Sequence, residues 1–516
     1  MGKDKILWTD DEIDILRPYV IFLEQKGYEV ITATNGTDAV ELCRQHNFDI
    51  IFLDENMPGQ SGLETLSLIK EIDPSVPVIM ITKSEEENIM DMAIGNKIAD
   101  YLIKPVNPNQ ILLALKKNLH KREIISEQTT SGYRSDFNKI GMQINDSFTH
   151  SDWADVYRRL VYWELELSEA ENNMDELLLM QKTEANSAFA KFIKRDYLKW
   201  FDDPENRPLI SPDIFKKRIF PLLDQKEKVF FILIDNFRFD QWRLIRDLLS
   251  EFYTFDQEEL YYSILPTATQ YARNAIFAGL MPVQIRQMFP DLWIEEEEEE
   301  SKNMHEEALL QTQIDRFRKK YTFSFHKIFD TTAGQKLVEK LPQIDKNDLN
   351  VCILNFVDML SHARTESKMI RELAHSEDAY RSLTLSWFRH SSTYELFRAL
   401  AESNYKIVVT TDHGTIQVKN PIKVIGDRNT SVNLRYKMGK NLNYNAKEVF
   451  EMLNPAKYGL PSANVSSTYV YCTNEDFFAY PNNYNHYVSY YKNTFQHGGI
   501  SLEEMLIPFV VMSPKK

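Results

Sequence analysis

In Val408-Val409-Thr410-Thr411-Asp412-His413-Gly414, apolar residues run into two threonines, a carboxylate and an imidazole stand side by side, and a glycine follows. A short apolar run bounded in this way reads as a buried strand, and Gly414 permits the turn that ends it. Asp412 and His413 then fall at the carboxyl end of a strand, where open α/β sheets place their sites. Oxygen and nitrogen donors together suit Zn2+ or Mn2+. A lone Asp-His pair at a strand end is more often a cap and a turn residue, so further ligands are required.

The same region supplies them. Val229-Phe230-Phe231-Ile232-Leu233-Ile234 is a continuous apolar run that ends at Asp235, and Val351 to Val357 is another that ends at Asp358. Such runs mark strands buried on both faces. His362 stands four residues beyond Asp358, one helical turn away if a helix begins there, so both side chains can reach one ion. His497-Gly498-Gly499 sits in a loop whose glycines permit tight approach. Three carboxylates and three imidazoles are expected at one sheet edge. Between the first two strands lies Pro266-Thr267-Ala268-Thr269-Gln270-Tyr271-Ala272-Arg273-Asn274. A threonine hydroxyl is a poor nucleophile at neutral pH unless a metal activates it.

This set resembles the alkaline phosphatase superfamily, and Asp235-Asn236-Phe237-Arg238 with Thr411-Asp412-His413-Gly414 points to its PglZ branch, over residues 209–516. The resemblance implies two zinc ions, with manganese as the alternative. Asp358, His362 and His497 would hold one, and Asp235, Asp412, His413 and Thr269 the other. It further implies Thr269, in preference to Thr267, as nucleophile of a metal-dependent phosphodiesterase acting on nucleotide or oligonucleotide phosphodiesters. Arg273, Asn274 and Arg238 are the candidates for substrate contacts.

Residues 1–122 alternate short strands with helical patterns. Ile6-Leu7-Trp8 runs into Asp10 and Asp11, Ile50 to Leu53 into Asp54, Val78 to Ile81 into Thr82, and Tyr101-Leu102-Ile103 into Lys104-Pro105. Three carboxylates in one pocket repel unless a divalent cation holds them, and all-oxygen ligation suits Mg2+. A lysine and a hydroxyl beside them can bind the oxygens of an incoming phosphoryl group. The pattern resembles a response-regulator receiver domain of the CheY-like α/β fold. That resemblance implies Asp54 as phosphoacceptor and Asp10, Asp11 and Asp54 as the magnesium carboxylates. It implies Thr82 and Lys104 as the switch hydroxyl and phosphate-binding lysine, and Tyr101 as the switch aromatic.

Residues 123–208 read as a helical connector domain. Thr129-Thr130-Ser131-Gly132 suggests a linker or short helical entry. Trp153, Val156, Leu160 and Trp163 then recur at helical spacing, and a second helix is expected from about Asp175 to Lys199, broken by Asp202-Asp203-Pro204. Residues 151–208 carry 8 Lys/Arg against 13 Asp/Glu. A recognition helix needs a basic footprint, so a spacer is favoured over a DNA-binding element despite the small Lys191/Lys194/Arg195/Lys199 face.

A receiver, a helical connector and an α/β/α PglZ module in this order resemble the PorX-type response regulators. That resemblance implies a cognate histidine kinase, a phosphorylation-dependent homodimer and control of type IX secretion, and it leaves a sigma factor or other transcription factor open as a partner. The rival reading is a response regulator that controls transcription by binding protein or DNA, with the PglZ module as a non-catalytic scaffold. The net charge of −16 disfavours a large nucleic-acid surface. Three scattered cysteines fit a reducing compartment, and neither an apolar signal core nor a run near the ~18 residues of a membrane helix is present, so a cytoplasmic protein without membrane insertion is expected. The block Glu295–Glu300 reads as an exposed insertion. The aromatic-rich Tyr469–Phe495 stretch could stack bases or cap the sheet.

Overall fold

The computed structural model describes residues 4–73, 76–82, 98–119, 121–168, 174–295, 301–366, 376–426, 430–462 and 466–515. The described residues form two compact units, one reaching to Gly132 and the other beginning at Tyr133. No helix among them is long and apolar enough to cross a membrane.

In the first unit β1 (Lys5–Thr9), β2 (Glu29–Ala33), β3 (Ile50–Asp54), β4 (Val78–Thr82) and β5 (Asp100–Ile103) form a parallel sheet of order β2-β1-β3-β4-β5. Strand alternation sends Ile6, Trp8, Phe52 and Ile79 into one apolar cluster and Leu7, Ile51, Leu53 and Met80 into another. Both faces are therefore covered, which is why β3 and β4 are apolar up to their last residues, Asp54 and Thr82. Ser61 and Glu64 form a reciprocal capping box on the helix Gly62–Ile72. The strand order reverses between β1 and β3, opening a crevice at their carboxyl ends.

The second unit contains β6 (Lys228–Ile234), β7 (Tyr253–Tyr262), β8 (Phe323–Ile328), β9 (Leu349–Leu354), β10 (Tyr405–Thr410) and a C-terminal strand, Leu506–Pro514. They form one sheet of order β7, C-terminal strand, β10, β6, β9, β8. The pairs β10/β6, β6/β9 and β9/β8 are parallel, and the C-terminal strand pairs antiparallel with both neighbours. The parallel centre sends the ends of β6, β9 and β10 to one edge.

Of the two readings of Thr129-Thr130-Ser131-Gly132, the helical one holds. Thr129-Thr130-Ser131-Gly132 lies inside the 26-residue helix Lys121–Asp146 and is no linker; one interior glycine costs a helix only about 1 kcal/mol. The hydrophobic core runs on across residue 208. Trp153, Val156, Tyr157 and Leu160 on the helix His150–Ser168, and Phe189, Phe192 and Ile193 on the helix Asp175–Asp196, share one core with Phe230, Ile232 and Leu265. The Tyr262 hydroxyl donates to His150 O (2.7 Å), and Leu265 N–H donates to the Tyr197 hydroxyl (2.9 Å). The small basic face is spent locally: Lys194 donates to Val449 O, while Arg195 and Lys199 pair with Asp196. Residues 296–300 of the glutamate block lie outside the described residues, and Glu295 pairs with Arg286. Tyr469 and Tyr471 are buried against other tyrosines, so that part of the aromatic stretch is packing.

Candidate functional site

Asp235 follows β6, Asp358 and His362 occupy successive turns of the helix Phe356–Glu366 after β9, and Asp412 and His413 follow β10. His497 follows the short strand Phe495–Gln496. Donor atoms of Asp358, His362 and His497 lie within 4.8 Å of one another, and so do those of Asp235, Asp412 and His413. In the first group Asp358 lies 3.5 Å from His362 Nε2 and 3.9 Å from His497 Nε2. In the second, His413 Nε2 lies 3.9 Å from Asp235 Oδ1 and 3.7 Å from Asp412 Oδ2. The rings of His413 and His497 stack at 4.3 Å, which joins the groups. Thr269 begins the helix Thr269–Ala278 with Oγ1 3.2 Å from His413 Nε2.

The donor set fits divalent cations. Asp235 Oδ1 and Asp412 Oδ2 are buried and have no hydrogen-bond partner, a costly arrangement for bare carboxylates. His413 Nδ1 contacts Gly414 O (3.1 Å) and His497 Nδ1 contacts Thr267 O (3.2 Å). A carbonyl only accepts, so each Nδ1 carries a proton and each Nε2 is turned toward the carboxylates. Burial, reinforced by His413 and His362, pushes the His497 pKa well below the usual imidazole value and keeps the ring neutral. Burial pushes Asp235 well up, with Asp412 and Asp358 adding to the shift and Arg273 opposing it.

The two threonines differ in what they touch. The Thr267 hydroxyl donates to Gly499 O (2.9 Å) and accepts from Gly498 N–H (3.0 Å), so it closes the His497 loop. A Cβ at Gly499 would meet Cys472 O and the Arg435 guanidinium, and Gly498 has φ +121°. Glu504, fully buried, accepts from Gly499 N–H and from Arg435 Nε and Nη2. Gly414 is required for a reason other than its own turn: a Cβ there would collide with Glu503 O.

Asn236 is a positioning residue the sequence reading missed. At φ 60° its Nδ2 donates to Asp358 Oδ1 (3.3 Å) and Ser361 Oγ (3.1 Å). Its place directly after a strand-end aspartate was the available signal. Arg273, Asn274 and Arg238, the candidates for substrate contacts, are all buried and hold partners within the protein. Arg273 pairs with Asp235 and Glu306, and Asn274 Nδ2 donates to Lys302 O. Arg238 pairs with Asp240 and Glu377. Glu164, Asp240 and Glu377 also converge, but Arg238, Arg381 and Lys182 stand among them, which makes an ion-pair network.

In the first unit Asp10, Asp11 and Asp54 converge within the same 4.8 Å limit. Lys104 Nζ lies 2.8 Å from Asp10 and 2.9 Å from Asp54. Burial raises the Asp54 pKa and Lys104 opposes that shift. Thr82, at the end of β4, donates to Glu55, and Tyr101 on β5 is 40% exposed, as a side chain free to turn would be.

The family model described as the PglZ alkaline phosphatase-like domain of BREX systems matches residues 214–512. Those of the PorX response regulator linker domain and the response regulator receiver domain match residues 123–201 and 6–116. The alginate biosynthesis transcriptional regulatory protein AlgB of Pseudomonas syringae pv. tomato is 36% identical over 123 residues, 24% of this chain and 28% of that protein. The transcriptional regulatory protein ResD of Bacillus subtilis is 35% identical over 120 residues, 23% of this chain and 50% of that protein. The chain thus spans between about a quarter and half the length of these relatives. The solved chemotaxis protein CheY4 of Vibrio cholerae is 29% identical, with 23% of this chain and 100% of that one covered and a TM-score of 0.22. With a PglZ match across more than half its length, behind a receiver and a PorX linker, the chain belongs to the PglZ alkaline phosphatase-like family and is a response regulator of PorX-type architecture.

Proposed function

We propose that the PglZ domain is a metal-dependent phosphodiesterase with Thr269 as nucleophile, acting on nucleotide phosphodiesters and controlled by phosphorylation of Asp54. The observation that carries this reading is the juxtaposition of Thr269 Oγ1 with His413 between two ligand groups. Asp358, His362 and His497 would hold one cation and Asp235, Asp412 and His413 the other, as zinc or manganese, with magnesium at Asp10, Asp11 and Asp54. Cations held there supply charge stabilisation to phosphoryl oxygens. Thr269 stands at the amino end of a ten-residue helix, whose dipole favours negative charge on its oxygen. Its Oγ1 attacks phosphorus, the ester bond to the leaving alcohol breaks, and water then cleaves the threonyl phosphoester. His362 is the most open ligand, its side chain 63% exposed, so substrate enters on that side.

The PorX-type architecture supports the further proposals of a histidine kinase as phosphodonor, a phosphorylation-dependent homodimer, a sigma factor or other transcription factor as partner, and control of type IX secretion. The names of AlgB and ResD favour a second reading, in which the output is transcriptional control by binding. That similarity covers only the receiver, which most directly bears on the input.

The deciding experiment is hydrolysis of bis-p-nitrophenyl phosphate by the zinc- or manganese-loaded protein, with and without phosphodonor. Thr269→Val is expected to lower turnover by more than about 10³-fold at unchanged cation content. An inactive, fully loaded wild type, with oligonucleotides and phosphodonor also supplied, would leave the binding reading standing.

A further inference from the structure

The side chain that joins the two carboxylates of the second ligand group is Arg273, at 1% exposure. Its Nη2 lies 2.8 Å from Asp235 Oδ2 and its Nε 3.3 Å from Asp412 Oδ2. Nε also lies 3.0 Å from Glu306 Oε1, and Glu306 Oε2 lies 2.7 Å from Lys327 Nζ, so a fully buried glutamate holds the guanidinium from behind. Asp235 and Asp412 arrive from neighbouring strands, β6 and β10, and as buried like charges they repel. One guanidinium placed between them offsets that repulsion, and its Nη2 hydrogen bond to Asp235 Oδ2 sets the angle of that carboxylate. By occupying Asp235 Oδ2 it leaves Oδ1, without a hydrogen-bond partner, turned toward His413 Nε2. Arg273 also stands one helical turn beyond Thr269, so the same contacts fasten the nucleophile's helix to two ligand-bearing strands.

We propose that Arg273 is a positioning residue that presents Asp235 and Asp412 to the cation of the second group and ties the placement of Thr269 to that group. This rests on the phosphoesterase reading of the site. Lysine would keep the charge but lacks the planar guanidinium, so Arg273→Lys separates geometry from charge.

The test is cation binding by the full chain, measured by competition between zinc and a chromophoric chelator together with metal content. His362→Ala marks the cation of the other group. Wild type is expected to take two cations. Arg273→Lys is expected to keep one at wild-type affinity and bind the other about 10–100-fold more weakly, with the weakened cation distinct from the one lost in His362→Ala. Glu306→Gln is expected to weaken that same cation by a smaller factor. Wild-type affinity at both positions in Arg273→Lys overturns the inference, and so does parallel weakening of both, which a merely structural role would produce. Should Arg273→Lys fail to fold, Glu306→Gln decides: selective weakening supports the assignment and unchanged binding overturns it. A wild-type protein that binds no zinc with the chelator absent would instead overturn the phosphoesterase reading itself.

Discussion

The receiver acids and the PglZ ligand set obey one topological rule and do different work with it. Both collect carboxylates at the carboxyl ends of neighbouring parallel strands. In the receiver every donor is an oxygen, Asp11 faces solvent, and Lys104 reaches in from the end of β5. In the PglZ domain half the donors are imidazole nitrogens, Asp235, Asp412 and His413 are sealed, and the positive charge is a buried arginine on the nucleophile's helix. Topology gathers the acids in each case; donor type and access to water then divide a pocket that passes a phosphoryl group from one that keeps its ions.

The largest expected effect tests that division directly. A nitrogen-donor chelator that prefers zinc to magnesium should abolish phosphodiester hydrolysis while Asp54 still accepts a phosphoryl group from a small-molecule phosphodonor in magnesium. Turnover and intact mass read the two sites separately, and equal loss at both would break the comparison. Next is Arg435→Met, which leaves Glu504 buried without its cation; a loss of about 3–5 kcal/mol in the unfolding free energy of the second unit is expected from urea denaturation. In the receiver Lys104 is the matching cation but is 14% exposed, and Lys104→Met should shift that unit's midpoint less. The smallest is Thr267→Val. It strands the Gly498 N–H and Gly499 carbonyl and should cost about 1–3 kcal/mol, with hydrolysis reduced far less than in Thr269→Val.

Strands covered on both faces announce themselves as unbroken apolar runs, so β3, β4, β6, β9 and β10 and the polar residues at their ends were readable from the sequence. The resemblance singled out Thr269, while the physical reason that Thr267 differs, its bonds to the His497 loop, exists only in three dimensions. The partners of Arg273 and Asn274 were not legible, because Gln270 to Ala278 are all buried and a helix without a solvent face gives no sign of which side meets the site. Arg435 and Glu504 lie 69 residues apart, with no local pattern to link them. The break at Asp202-Asp203-Pro204 looked like a border because a helix ends nearby, yet chain punctuation does not decide where a hydrophobic core stops.

Asn186 clasps the turn before the C-terminal strand: its Oδ1 accepts Leu502 N–H (2.8 Å) and its Nδ2 donates to Glu503 (3.1 Å). From the same helix Lys182 bridges Glu503 and Glu164, and Glu164 pairs with Arg381. A gene fusion that joined a new receiver at residue 208 would take those partners from Arg381 and Glu503 and strip the aromatic cover from the sheet. The cassette that can be moved therefore includes the helices His150–Ser168 and Asp175–Asp196, and swapping the receiver means carrying both along with the PglZ fold.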